Sequence, residues 1–412
     1  MRYVIIGNGA AGNAAAAAIR KQDPGGEVLI FSDEPAPAYY RPLIVNLIED
    51  IHKDIFVPQE LNMKAATGQT VMALDAGAKR LTFLDGATCT YDRLLLATGA
   101  SAIIPDLPGL QGHGTFVLRT LADAETLAQA AGEAKEALVI GAGRVGLKAA
   151  MALRQRNLSV TIVEQGPGPA PMQFDQEAGG ILSEALAAQG FNLLFGQTVA
   201  EVQRAGDRLI GAILADGRKL PAQVIVAAVG VRPKVELAQA AGLTVKQGIV
   251  VDRHLRTSAP EIYAAGDVAE TTDLVTGHSL VSGLWTNAVE MGRIAGRNMA
   301  GGHQEYQGAW GVLNALEVAG IPTVAVGLTT PPLDAGYQVL RRRRGNNYRK
   351  LVCKDGILVG ALLLGALDGA GVYAGLIRSR TRINDLAAAL DQPRRGLASR
   401  LAAIINQRQL NM

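Results

Sequence analysis

The chain has 412 residues, enough for two or three domains, and its 49% hydrophobic content supplies several buried cores. With 40 basic and 37 acidic side chains its net charge is +3, so charge gives no reason to expect nucleic-acid binding. The two cysteines, Cys89 and Cys353, exclude a disulfide framework and a four-cysteine cluster site, and the five histidines lack metal-ligand spacing, so we expect no metal. No apolar run reaches the roughly 18 residues of a membrane span, and we expect a soluble, cytoplasmic protein.

The first predicted element is a strand at residues 3–6 that leads into a glycine-rich loop and an alanine-rich helix. Gly7, Gly9 and Gly12 have the spacing in which the first glycine permits a tight turn, the second lets the backbone approach a pyrophosphate, and the third allows close helix packing. The helix N-terminus adds unpaired N–H groups and a partial positive charge. A second strand at residues 28–31 ends near Asp33, where a carboxylate can bind a ribose. This order of elements predicts a dinucleotide site.

Short strands are predicted next, over residues 65–84, and they close with a hairpin signal at residues 81–86. A buried, parallel-type strand follows within residues 91–100 and ends in a glycine turn at Thr98 and Gly99. Residues 105–114 are rich in proline and glycine, which is typical of a linker between domains.

A second glycine-rich loop then repeats the first arrangement. Gly141, Gly143 and Gly146 follow an apolar strand at residues 137–140 and precede another alanine-rich helix. The strand at residues 160–163 ends at Glu164, the position about 20 residues on where a carboxylate accepts hydrogen bonds from a ribose 2′-hydroxyl and repels a 2′-phosphate. The second site is therefore predicted to prefer NAD(H) to NADP(H).

The rest of the chain repeats and then departs from this pattern. A hairpin is predicted around residues 215–218, and the strand at residues 224–233 echoes the earlier strand with a glycine turn. A strand at residues 261–268 and a helix from about Trp285 to Asn298 come next. Four strand-like segments, at residues 324–327, 337–344, 348–354 and 356–364, predict a third domain built on an antiparallel sheet, followed by helices from Val372.

Four ordered signatures together give the chain a specific resemblance. They are the two glycine loops, the strand end at residues 97–99, and the turn at residues 265–267. In this order they resemble the FAD- and NAD(P)-dependent pyridine nucleotide-disulfide oxidoreductase-like family over nearly the full length. Residues 38–43 resemble the branch of NADH:rubredoxin and ferredoxin reductases.

The resemblance implies an α/β protein with two Rossmann-like dinucleotide-binding domains, for FAD and NAD, and a C-terminal α+β domain with a helical tail. The expected FAD-binding domain comprises residues 1–108 and 245–302. The NAD(H)-binding domain comprises residues 109–244, and the C-terminal domain residues 303–412.

The resemblance also implies roles for individual residues. Asp33 would bind the FAD ribose, Arg41 would lie near the pyrophosphate, and Asp267 would hold the ribityl chain. Trp285 would start a helix whose N-terminus faces the flavin, where a helix dipole favours negative charge. The full set of implied cofactor-binding residues is Gly7, Gly9, Ala10, Ala11, Gly12, Asp33, Arg41, Ala97, Thr98, Gly99, Gly141, Gly143, Arg144, Val145, Gly146, Glu164, Gly230, Gly266, Asp267, Trp285, Thr286 and Ala288.

The chain departs from the family pattern at two places, and these departures limit which family roles the resemblance implies. Disulfide reductases of the family carry redox cysteines after the first βα unit, whereas here Pro42 and Leu43 stand in that segment, which excludes disulfide chemistry. Many relatives also have a glutamate close to the flavin where this chain has Lys148. Lys148 is therefore a candidate catalytic residue, and the alternative is a lysine at the protein surface.

The expected function is electron transfer between NAD(H) and a separate redox protein through FAD. The partner would be an iron–sulfur carrier or the iron–sulfur subunits of a larger oxidoreductase complex. A stand-alone NADH oxidase that uses O2 and a non-enzymatic, nucleotide-sensing subunit are the alternatives. The basic run at residues 341–344, with Arg349 and Lys350 nearby, would face an acidic carrier or simply be solvated, and residues 394–409 are predicted to form an amphipathic helix.

Overall fold

A computed structural model describes residues 1–49, 54–57, 65–333 and 335–383. The predicted amphipathic helix at residues 394–409 lies outside the described residues. The chain divides into two compact units. Unit 1 contains Met1–Ile104, Val117–Gln129 and Gly230–Ala309, and unit 2 contains Pro105–Phe116, Ala130–Val229 and the residues from Trp310 onward. The domain boundaries expected from the sequence stay a prediction.

Strands and helices are mixed through the first three quarters of the chain, and strands dominate the last described part. The strands are β1 (Arg2–Ile6), β2 (Glu27–Ser32), β3 (Ala65–Thr67), β4 (Val71–Asp75), β5 (Arg80–Phe83), β6 (Thr88–Thr90), β7 (Arg93–Leu96), β8 (Ala100–Ala102), β9 (Thr115–Phe116), β10 (Glu136–Ile140), β11 (Ser159–Glu164), β12 (Asn192–Phe195), β13 (Val199–Ala205), β14 (Arg208–Leu214), β15 (Lys219–Pro221), β16 (Val224–Ala227), β17 (Val231–Pro233), β18 (Ile249–Val250), β19 (Ile262–Ala264), β20 (Ala269–Thr272), β21 (Ser279–Val281), β22 (Leu313–Val318), β23 (Ile321–Gly327), β24 (Gln338–Arg344), β25 (Asn347–Lys354) and β26 (Ile357–Leu364). The helices are α1 (Ala10–Gln22), α2 (Val45–Glu49), α3 (Leu121–Glu133), α4 (Arg144–Gln155), α5 (Gln176–Ala188), α6 (Glu236–Ala240), α7 (Trp285–Met299) and α8 (Ala370–Ser379), with a 3-10 turn at Arg41–Leu43.

Unit 1 is built on a parallel sheet of five strands in the order β19-β7-β1-β2-β3. The central strands are almost continuous apolar runs because helices and loops cover both faces of a parallel sheet. The register pairs Ile6 with Phe31 and with Leu96, and Leu96 with Ala264, so the carboxyl ends of four strands share one edge. The first glycine loop and the turns after β2, β7 and β19 all leave the sheet at that edge.

Helices α1 and α7 pack against each other unusually closely in unit 1. A Cβ atom added at Gly292 or Gly296 would overlap the backbone of Ala11 or Ala15. The small residues on both helices therefore permit the contact. This packing holds the middle of α7 against the start of α1.

Unit 2 contains a second parallel sheet, in the order β12-β11-β10-β16-β9. Here the second glycine loop follows β10 and Glu164 ends β11, so both lie at the carboxyl edge of adjacent strands. The predicted hairpin at residues 215–218 is confirmed as the turn between β14 and β15.

The last described part of unit 2 is an antiparallel sheet in the order β22-β23-β26-β25-β24, with α8 against β26 and β23. The predicted antiparallel sheet is confirmed. Across the described ranges, no helix is long and apolar enough to cross a membrane.

Candidate functional site

The first glycine loop has the geometry of an open cradle. Gly7 has φ +119°, its N–H donates to the Phe31 carbonyl at 2.7 Å, and a Cβ there would overlap the carbonyl oxygen of Ala97. A Cβ at Gly12 would overlap the Gly7 carbonyl, whereas one at Gly9 would meet nothing within 4 Å. Two glycines are thus required by close packing, and the third faces open space.

The start of α1 adds polar groups to this open space. No side chain caps the helix, which begins at Ala10, and its first turn, which includes Ala11, contains no acidic residue. Asn13 Oδ1 is buried and has no hydrogen-bond partner among the described residues. Unpaired N–H groups and a partial positive charge at a helix N-terminus fit an anionic pyrophosphate.

The turn after β7 is fixed by the segment around Lys234. Thr98 Oγ1 donates to the Lys234 carbonyl at 2.9 Å, and the carbonyl of Gly99, whose φ is +70°, accepts from the Lys234 N–H at 2.9 Å. Gly230, with φ +125°, accepts from the Ile103 N–H at 3.0 Å. The strand end at Ala97 therefore has a backbone set by contacts within unit 1.

Four charged side chains form a chain of contacts at the same edge. Arg41 donates to Glu34 Oε1 and to the Arg119 carbonyl, both at 2.6 Å, and Arg119 donates in turn to Asp267 Oδ2 at 2.7 Å. The Arg41 guanidinium also lies 4.9 Å from the centre of the Tyr39 ring. The structure thus brings the predicted residues Arg41 and Asp267 together through Arg119.

Two of these four contacting residues, Glu34 and Arg119, were not predicted from the sequence. Glu34 accepts from Tyr39 Oη at 2.5 Å, and burial together with this bond raises the pKa of the Tyr39 hydroxyl. The only sequence signal for Glu34 is its place beside Asp33 after β2. Arg119 joins residues far from it in sequence, so no local pattern indicates it.

Asp33 lies at the exposed margin of the site. Its carboxylate is 3.0 Å from Lys234 Nζ, and the side chain is 53% exposed. Burial raises the pKa of the carboxyl, but the hydrogen bond and the positive charge of Lys234 outweigh this effect and lower it. Asp33 is therefore ionised at neutral pH and able to accept hydrogen bonds.

Helix α7 begins at Trp285, as predicted, and no side chain caps its N-terminus. Thr286 follows in the first turn. A Cβ added at Gly266, whose φ is +79°, would lie 3.1 Å from the Ala11 Cβ and 3.5 Å from the Ala288 Cβ. The turn that carries Asp267 therefore lies between the starts of two helices.

The second glycine loop repeats the first within unit 2. Gly141 has φ +100° and donates to the Val163 carbonyl at 2.7 Å, and a Cβ at Gly146 would overlap the Gly141 carbonyl. Gly143 faces open space, and Val145 is 44% exposed. In both loops, therefore, two glycines are closely packed against backbone and one faces open space.

Glu164 has a role in the second loop itself. One carboxylate oxygen accepts from the Ala142 N–H and the other from the Gly166 N–H, each at 2.7 Å. Each carboxylate oxygen has further lone-pair capacity, so these bonds leave room for a ribose hydroxyl.

Lys148 lies on α4, one turn beyond the loop, and is half-buried. Its ammonium group has no hydrogen bond or ion pair with the residues that the structure describes. Its proposed place close to the flavin stays a prediction.

Part of the basic run differs from the expectation. Lys350 is not a surface residue: its side chain is only 3% exposed and its Nζ lies 2.8 Å from Asp175 Oδ2. Arg349 donates to the Asp368 carbonyl at 3.1 Å. Arg341–Arg344 are exposed because β24 is the edge strand of the sheet, whereas Lys350 on β25 faces Asp175 at the start of α5.

Two dinucleotide cradles, each at the carboxyl edge of a parallel sheet, define the class as a protein that binds FAD and NAD(H). A family comparison is more specific: residues 1–292 match the model of the pyridine nucleotide-disulphide oxidoreductase family, and the chain belongs to that family. The predicted α/β fold with Rossmann-like domains is confirmed. The chain is an NADH-dependent FAD oxidoreductase.

Three relatives illustrate the membership. The chain is 32% identical to the epsilon subunit of NADH-dependent phenylglyoxylate dehydrogenase from Aromatoleum evansii, over 93% of each chain. It is 33% identical to an NADH oxidase from Methanocaldococcus jannaschii, over 73% of this chain and 70% of that one. The crystal structure of the ferredoxin reductase for the CYP199A2 system from Rhodopseudomonas palustris superposes with a TM-score of 0.86 at 27% identity, covering 95% of this chain and 99% of that chain.

Proposed function

We propose that this chain transfers electrons between NAD(H) and a separate iron–sulfur protein, either a free carrier or a fixed subunit of a larger oxidoreductase. A bound FAD would supply hydride exchange with NAD(H) and single-electron transfer to such a centre. The residues of this chain supply binding, orientation and charge.

The observation that carries the proposal is the segment Arg41–Leu43. It forms a 3-10 turn in which Pro42 and Leu43 stand where disulfide reductases of the family carry cysteine. The two cysteines lie elsewhere: Cys89 is on β6 of unit 1, and Cys353 is buried on β25 of unit 2, where burial raises the pKa of its thiol to about 11. A buried thiol with a raised pKa is a poor nucleophile. The segment Arg41–Leu43 therefore supplies no thiol that would take electrons onward.

The site assignment is part of the proposal. The loop with Gly7, the turn with Asp267 and the start of α7 fit FAD, because an open cradle, a carboxylate and an uncapped helix end meet at one sheet edge. The loop with Gly141 and the carboxylate of Glu164 fit NAD(H). Asp267 and Arg41 would orient the flavin nucleotide, and Lys148 would place a positive charge toward it.

The names of several relatives support the partner class. One is a subunit of an NADH-dependent dehydrogenase, and another is the ferredoxin–NAD(+) reductase component of the biphenyl dioxygenase system from Paraburkholderia xenovorans. The NADH oxidase from Methanocaldococcus jannaschii favours a second candidate, direct reduction of O2.

Isolation from the native host separates these candidates. A fixed subunit should co-purify with iron–sulfur polypeptides in constant ratio, and a reductase of a free carrier should purify alone yet reduce an added iron–sulfur protein. A protein that purifies alone and reduces O2 as fast as any added acceptor would support the oxidase instead.

A further inference from the structure

The backbone of the second glycine loop is held from both sides at Ala142. Its N–H donates to Glu164 at 2.7 Å, and its carbonyl accepts from the Ala170 N–H at 2.9 Å. Ala170 is buried and has φ +41°, a left-handed conformation that is unfavourable for alanine. Strained residues persist only where the surrounding structure requires them, and they cluster at functional sites.

The segment after Ala170 turns back onto its own start. The N–H groups of Gln173 and Phe174 donate to the Ala170 carbonyl at 2.8 and 3.0 Å. This turn places the Gln173 side chain beside strand β22 of the C-terminal sheet, where Asn314 Nδ2 donates to Gln173 Oε1 at 3.0 Å. The loop and the C-terminal sheet, both in unit 2, are thus joined by a polar contact.

The amide oxygen of Asn314 accepts a hydrogen bond from Arg144. Arg144 Nη1 donates to Asn314 Oδ1 at 2.5 Å, and Arg144 is the first residue of α4, directly after the open Gly143. Because arginine only donates, the amide oxygen must face it, and the amide nitrogen is left to meet Gln173. The orientation of the Asn314 amide is therefore fixed at both ends.

We propose that Asn314 is a positioning residue for NAD(H): it holds the Arg144 guanidinium at the mouth of the second loop, where the cation attracts the nucleotide's pyrophosphate. The C-terminal sheet then contributes to nucleotide affinity without touching the nucleotide. A guanidinium is suited to this role because its planar fork pairs with phosphate oxygens. This inference rests on the proposed assignment of NAD(H) to the second loop.

The test is a double-mutant cycle on the FAD-loaded protein, read out as the dissociation constant of NADH from a binding titration. Arg144→Ala and Asn314→Ala should each weaken NADH binding, Arg144→Ala by about tenfold, the scale of a charged hydrogen bond. The double variant should bind no more weakly than Arg144→Ala alone, because Asn314 acts through Arg144. KM for NADH should rise in Asn314→Ala while kcat at saturating NADH stays unchanged.

Two controls distinguish positioning from a structural role. Glu317→Ala, an exposed change on the same strand, should leave NADH binding unchanged. Asn314→Asp retains an acceptor but pairs its negative charge with Arg144, so it should weaken NADH binding while the protein still folds. Unchanged NADH affinity in both Asn314 variants, or strictly additive losses in the cycle, would overturn the inference. Wild-type protein that binds no NADH in the same titration would instead overturn the proposed function.

Discussion

Asp267 is held in place by a protein cation. Its carboxylate is 2.7 Å from Arg119, and the two side chains are only 16% and 20% exposed. The Arg119 carbonyl also accepts from Arg41. A ligand that meets Asp267 therefore meets a side chain already restricted to one orientation, which lowers the entropic cost of binding.

Replacing Asp267 by alanine should yield largely flavin-free protein. The change removes a proposed FAD ligand and also leaves the Arg119 guanidinium without its carboxylate. The measurement is the ratio of flavin to protein absorbance after purification. Asp216→Ala is the matched control, because Asp216 pairs with Arg218 in an exposed hairpin. A full complement of FAD in Asp267→Ala would show that the FAD site is wrongly assigned.

Changing Glu164 should alter nucleotide preference. Glu164→Ala should cost about 1.5 to 3 kcal/mol of NADH binding, the scale of a charged hydrogen bond, and relax discrimination against NADPH. Because Glu164 also accepts from two backbone N–H groups, Glu164→Gln is the better-matched variant: it retains one acceptor but loses the charge. KM values for both nucleotides provide the measurement. A wild-type protein that uses NADPH better than NADH would refute the role.

The glycines of both loops could be predicted because their spacing and flanking elements are local in sequence. Glu34, Arg119 and Asn314 could not. Arg119 reaches Asp267, and Asn314 reaches Arg144, only after two sheets have formed, so no spacing rule contains them. Residues that hold a site are fixed by tertiary structure, whereas residues that line it are partly fixed by local pattern.

At the level of elements, apolar strand runs and alanine-rich helices were predictable, but the direction of charged side chains was not. In the sequence, residues 341–344, Arg349 and Lys350 look like one basic surface. In the sheet, Arg341 pairs across the strands with Lys350, and Lys350 is buried against Asp175, the residue that caps α5. The acidic partner comes from a distant element, so the sequence around Lys350 resembled a solvated strand.

The buried pair of Asp175 and Lys350 should support the fold of unit 2. Asp175→Asn leaves a buried ammonium without its counter-charge, and we expect a loss of about 3 kcal/mol in unfolding free energy at neutral pH. Thermal unfolding midpoints give the measurement. Glu184→Gln is the control, since its pair with Arg343 is long, at 3.9 Å, and exposed, and it should cost little.

The stabilisation by Asp175 should also depend on pH. Burial raises the pKa of this carboxyl, but hydrogen bonds from Lys350, Ala178 and Tyr348 outweigh it and hold the pKa below the ordinary value of 3.8. Because the folded pKa is lowered, the stabilisation is fully present above the pKa of the unfolded state, near 3.8, and is lost as the pH falls through the folded pKa. The difference between wild type and Asp175→Asn should therefore be constant from neutral pH to about 5 and shrink in stronger acid. A pH-independent difference would contradict the ion pair.

A substitution of Lys148 on α4 tests whether its side chain lies near the flavin. A cation near the flavin favours its reduced, anionic form, so Lys148→Glu should lower the midpoint potential of the bound flavin. The measurement is a spectroscopic redox titration. Lys219→Glu, on the exposed strand β15, is the control for a general change of surface charge. Equal potentials in wild type and Lys148→Glu would mean that this side chain points away from the flavin.

For the whole molecule, two parallel sheets with glycine loops at their carboxyl edges account for the use of two dinucleotides. The segment Arg41–Leu43 lacks the cysteines of disulfide reductases, so the electrons must leave by another route. The exposed arginines of β24 would attract a free acidic carrier, and rates with such a carrier should fall as salt rises. Rates with a permanently docked subunit should be nearly independent of salt.

The most direct test of electron delivery to a separate protein is the rate at which NADH-reduced flavin in the isolated chain is reoxidised. Stopped-flow absorbance should show rapid bleaching of the flavin by NADH, slow recovery in air, and fast recovery when the cognate iron–sulfur protein is added. Artificial dyes should be reduced and disulfides should not. Fast, stoichiometric O2 reduction by the isolated chain, with no acceleration by an iron–sulfur protein, would contradict the account.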